Sequence, residues 1–295
     1  MLTEAFPKLN SSRAVSFLRA FLRSPWFIAL VVLLMACSEI FSLELYVIGA
    51  YITLGLLIVL VSEDTLPIVP MVTCGYMLIS SQNNIGFHPD SLLAQPYAQA
   101  TILFAAVVIV VLLLGRLISK LMEKKKRGVP KLLTGFVLLG IAYLLGGLGT
   151  DGWDKESVLF GFVQIAALSG FYFYFYFTVD WEKVPEGYLA TLFAIVGAGI
   201  LAQIVGLYAN PNAPGFDGEG NRGSLYTGWG VWNCVGCVMA MCMPAPVYFA
   251  VTKKHGWPFA LLCCVYFLGV ILTPSRGSII FGAVVFAARI ASSIF

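Results

Sequence analysis

Charge is what this sequence has least of. Only 11% of its 295 residues are Asp, Glu, Lys or Arg, where an ordinary soluble domain carries about 25%. That shortage, with 59% hydrophobic residues and a mean hydropathy of +0.89, excludes a soluble globular class. Histidine is almost missing too, limited to His88 and His255. No glycine-rich nucleotide motif, HExxH or nucleophile elbow occurs, and no chain of intramembrane carboxylates marks an ion pathway. A cleaved leader is not evident either. Lys8, Arg13, Arg19 and Arg23 are spread among Val15, Phe17, Leu18, Phe21 and Leu22. Residues 1–24 therefore read as a basic segment lying in a membrane interface.

What the chain does have is long apolar runs, several reaching the roughly 20 residues that a helix needs to cross a bilayer. Hydropathy predicts about ten spans, near 25–43, 45–62, 66–81, 98–119, 131–149, 157–179, 187–208, 229–251, 257–273 and 277–294. The expected fold is an all-α polytopic transmembrane bundle, with 25–295 as one membrane domain and a large outer loop at 208–228. The length of the runs excludes a β-barrel. Phe171–Phe177, FYFYFYF, alternates at period two as a strand would, but at the end of a span it reads as an aromatic belt.

Orientation follows from where Lys and Arg fall. With the N-terminus cytoplasmic, all but three of the 18 basic residues lie inside; the exceptions are Lys155, Arg222 and Arg276. Lys155 sits among Asp151, Asp154 and Glu156, which neutralise it. Arg222 and Arg276 have no such neighbours to explain them both.

Arg276 lies in LTPSRGS, Leu272–Ser278. Pro274 breaks the preceding span, and Ser275 is suited to cap the next helix. Arg276 then falls in a first turn rich in unpaired N–H groups, where a cation opposes the helix dipole. A bound anion would resolve this, drawing N–H groups and guanidinium together, with Gly277 allowing close approach to the backbone. The alternative is an interfacial arginine paired with lipid phosphate or a loop carboxylate. Arg222, in the loop of LYANPNAPGFDGEGNRGSLYTGWGVWN, fits the second arm of a diphosphate clamp or a partner for Asp217 or Glu219. Tyr226, Trp229 and Trp232 could stack on a sugar or anchor the interface. Asn233 is expected to face the bundle interior.

Other groups have plainer readings. The seven cysteines, Cys234-x-x-Cys237 included, lie in predicted spans and read as small packing residues rather than metal ligands. Glu39 and Glu44 read as solvated loop-end carboxylates, and Gln164 and Gln203 as interhelical hydrogen-bonding groups.

An outer arginine before a span opening GWGVWNCVG, followed two spans later by LTPSRG, resembles the O-antigen ligase and polymerase family of bacterial envelope glycosyltransferases. The resemblance covers about residues 187–295; earlier residues match only in hydropathy and topology. It implies a fold similar to GT-C-like multi-spanning glycosyltransferases and a site in the bacterial cytoplasmic membrane. It implies a donor glycan on undecaprenyl diphosphate, transferred at the outer face to a glycan, lipid or protein acceptor, with no metal and no cofactor. Carried over, Arg222 and Arg276 would hold the diphosphate and stabilise its developing charge. Asn233 would correspond to the polar position opening the following span. Membrane lipids are expected partners and nucleic acid is not.

The family commonly continues through a further outer loop bearing a histidine that would activate the acceptor. Neither His88 nor His255 is in that position, so no catalytic base is named, and the expectation is a truncated or reduced form. The competing readings are a transporter or permease subunit for envelope glycolipids and a non-catalytic scaffold for glycan assembly.

Overall fold

The structure, a computed structural model, describes residues 12–41, 44–62, 64–78, 96–123, 130–145, 155–209, 232–273 and 275–294. Among the described residues the chain is all-helical, without strands. The described residues form twelve α-helices: α1 (Arg13–Leu22), α2 (Pro25–Phe41), α3 (Glu44–Val61), α4 (Ile68–Leu78), α5 (Pro96–Met122), α6 (Leu133–Leu145), α7 (Lys155–Thr178), α8 (Tyr188–Ala209), α9 (Trp232–Cys242), α10 (Pro244–Thr252), α11 (Trp257–Leu272) and α12 (Arg276–Ile294).

Helices thus occupy every stretch where the apolar runs predict them. Among the described residues, three helical stretches are long and apolar enough to cross a membrane: Gln99–Met122, Tyr188–Gly206 and Cys234–Thr252, the last running through α9 and α10. A fourth arises if α1 and α2, bent by 65°, are taken as one span. Several helices are much shorter; α11 has 16 residues, α6 13 and α4 11, against the roughly 20 that match a hydrocarbon core.

Over the predicted span at 229–251, Cys234–Thr252 runs as one helix whose hydrogen-bond ladder is interrupted at Met243. Pro244 and Pro246 lack the N–H groups that would bond back to Ala240 and Cys242, so the ladder lapses at Met243 while its backbone stays helical, with φ of −60° and ψ of −34°. The junction tightens to a shorter bond, Met243 N–H to Ala240 O at 3.2 Å.

The chain divides into two compact units. In the larger, which includes Val184–Phe295, α2 and α8 pack along each other and α8 also meets α9, α10 and α11. Its core takes Phe27, Ile28, Val31 and Met35 from α2, and Leu192, Val196, Ile200 and Ile204 from α8 at helical spacing. Without a strong hydrophobic drive between helices in lipid, close backbone approach carries the packing. A β-carbon at Gly197 would lie 2.6 Å from the Tyr266 ring and 2.9 Å from Cys242 Cβ. Phe267 and Phe286 stack at 5.5 Å and join α11 to α12. The entry to α8 turns at Gly187, with φ of +78°. There Tyr248 donates to Glu186 Oε1 at 3.2 Å.

The smaller unit is Glu63–Leu66 with Val107–Lys183. The aromatic run of Phe171–Phe177 is helical, within α7, as the belt reading expects. Phe136 of α6 meets Tyr172 at 5.3 Å and Phe173 at 6.2 Å. The buried hydroxyls of Thr65 and Thr178 hydrogen-bond at 2.6 Å.

Candidate functional site

Three of the five candidate residues meet at the start of α12. Ser275 sits immediately before the helix and its Oγ accepts from the Ser278 N–H at 3.4 Å, the contact expected of an N-cap. Arg276 is the first helical residue and is exposed. Gly277 is exposed as well, and a β-carbon there would meet nothing within 4 Å, so packing supplies no reason for glycine. The N–H groups of the first turn have no partner within their own helix. An exposed guanidinium therefore stands among backbone donors at the positive end of α12's dipole.

Beneath this lies a shelf of hydroxyls. Thr273, Ser275 and Ser278 are each no more than 2% exposed. Burial without partners would be costly, so each is hydrogen-bonded. Thr273 Oγ1 donates to Val270 O at 2.7 Å, and Ser275 and Ser278 share a bond at 2.7 Å. Ser278 Oγ also reaches Cys237 Sγ on α9 at 3.5 Å. Gly236, beside that cysteine, makes the approach possible. A β-carbon on it would stand 2.9 Å from Ser275 Cβ and closer still to two hydroxyl oxygens. GWGVWNCVG and LTPSRG, far apart in sequence, are thus in contact through Gly236 and the hydroxyl shelf.

Asn233 is the second residue of α9, one turn before Gly236 and Cys237; its side chain lies outside the described residues. Arg222, Tyr226 and Trp229 fall outside them too, as does His88, and so do the side chains of Trp232, Glu39, Glu44 and Gln164. Gln203 is buried on α8, as its interhelical reading requires. His255 is exposed in the turn before α11, a helix length of about 24 Å from Thr273. It belongs to the other end of that helix and takes no part in the site.

Four contributors escape the sequence reading: Thr273, Ser278, Gly236 and Tyr208. Tyr208, near the end of α8, donates to Leu272 O at 2.7 Å and satisfies a terminal carbonyl of α11 next to the shelf. Ser278 had a local signal, standing three residues after a capping serine. The others depend on tertiary approach alone. Among the described residues, no group of three or more His, Cys, Asp or Glu is placed to hold a metal ion.

Comparison with family models, with curated proteins and with solved structures gives no match.

Proposed function

We propose that this chain is a metal-independent glycosyltransferase of O-antigen ligase or polymerase type, working in the bacterial cytoplasmic membrane. It would take a glycan from undecaprenyl diphosphate at the outer face and pass it to a glycan, lipid or protein acceptor. In this reading the chain crosses the membrane about ten times with its N-terminus inside, as the bias of Lys and Arg suggests.

One observation carries the reading: exposed Arg276 heads α12 above a buried hydroxyl shelf that rests on Gly236. An anion held there gains backbone donors, a helix dipole and a guanidinium fork together. The shelf is fully hydrogen-bonded and rigid, which suits stabilisation of charge as a diphosphate departs. Arg222 would supply the second guanidinium, and Asn233 stands in the first turn of α9.

The test is glycan transfer by the purified chain with a lipid-linked donor. Arg276→Ala and Arg222→Ala should each lower transfer by about 100-fold, the usual loss for one donor to a developing anion. Transfer unchanged in both variants would remove these residues from the mechanism. Accumulation of substrate in sealed vesicles without a glycan product would favour a permease instead.

A further inference from the structure

The N-terminal helix carries chemistry that the glycan-transfer site does not use. On α1, Ser12, Ser16, Arg19 and Arg23 follow one another at helical spacing and form a single polar stripe, flanked by exposed Arg13. No acidic residue occurs from Ser12 to Cys37. Leu22 turns inward and is buried, whereas Phe17 is 74% and Trp26 77% exposed. A cationic stripe beside projecting aromatics is the pattern of a helix lying at a membrane surface.

Two further features fix this helix in place. Ser24 ends it by returning both its N–H and its hydroxyl to Phe21 O, at 2.9 and 2.7 Å, and α2 then departs at 65°. Since α2 is apolar from Trp26 to Cys37, α1 is turned away from the direction in which that stretch would cross. Arg19 Nε donates to Val61 O at 2.8 Å, closing the last turn of α3 and holding α1 against it.

We propose that this face of α1 is a binding site for anionic phospholipid headgroups. Arg13 and Arg23 contact the headgroup charge, and Phe17 and Trp26 enter the acyl boundary beside it. The exposed aromatics continue into an apolar helix, which makes a lipid surface, rather than an acidic peptide in water, the occupant. This rests on the chain crossing a membrane and is independent of the glycan-transfer reading.

The full chain is reconstituted in vesicles of phosphatidylcholine containing about 30% phosphatidylglycerol, and the lipids retained after gentle extraction are counted by native mass spectrometry. Phosphatidylglycerol should be retained in preference to phosphatidylcholine. In R13Q/R23Q its apparent affinity should fall about fivefold for each arginine removed, while R13K/R23K keeps most of it. Equal retention of the two lipids by the unaltered chain would overturn the site, as would a preference that survives in R13Q/R23Q. A second measurement needs no variant: the preference should vanish at about 1 M salt, where screening is strong. A preference that persists there is not electrostatic and equally sinks the proposal.

Discussion

Gly236 and Thr273 come so close that a β-carbon on the glycine would lie 2.5 Å from the threonine Oγ1, with Ser278 Oγ at 2.7 Å. Both oxygens are committed to hydrogen bonds, so neither can simply swing aside. Gly236→Ala should therefore push α9 away from the start of α12. Overpacking of this kind costs about 1–3 kcal/mol, read as a fall in thermal unfolding temperature. An unshifted temperature would mean that the shelf yields freely.

Gly277 should behave in the opposite way. Alanine there meets open space and is the better helix former, so stability should hold or rise by up to about 1 kcal/mol. If the first turn binds an anion at close range, G277A should nevertheless weaken donor binding. Measuring KM and unfolding temperature on the same variant separates the two effects.

Ser275→Ala removes the cap of α12 and leaves the Ser278 hydroxyl without its 2.7 Å partner. The expected loss is about 1 kcal/mol from the cap, with a smaller further cost because the Ser278 hydroxyl keeps only its weaker bond to Cys237 Sγ. Ser275→Thr retains the oxygen and should recover most of the loss in a chemical denaturation series.

Tyr208→Phe deletes one hydroxyl and nothing else. It should lower stability by about 0.5–1.5 kcal/mol through the bond to Leu272 O. Hydrogen exchange should quicken at the end of α11. Faster exchange spread evenly through the bundle would argue against a local role.

Gly187 adopts φ of +78°, with Tyr248 Cε1 at 3.2 Å from where a β-carbon would stand. Gly187→Ala should cost about 1–2 kcal/mol, the penalty for a left-handed residue with a side chain. Asparagine, which tolerates that region better, should cost less in the same unfolding assay.

The helices were legible because lipid-facing helices need long apolar runs, and such runs survive simple averaging. That same averaging hid the lapse in the ladder at Met243: Pro244 and Pro246 are apolar enough to pass, although their missing N–H groups rule out an unbroken ladder. At the site, Ser275 was readable because capping is local, with donor and acceptor three residues apart. Gly236 was not, because its meaning comes from Thr273, 37 positions later, and from the angle at which two helices cross. Hydropathy could count crossings only by composition, and the short α4, α6 and α11 show how far length departs from that count.

The position of α9 and α10 in the chain has a consequence for how the shelf is assembled. The α9–α10 pair touches α8 on one side and α11 and α12 on the other. During synthesis α8 already exists when this pair forms, but α11 and α12 do not, since chains emerge from the N-terminus. Gly236 and Cys237 must wait without their partners until Ser275 and Ser278 arrive. The shelf beneath Arg276 is thus closed only once α12 has been made and has docked.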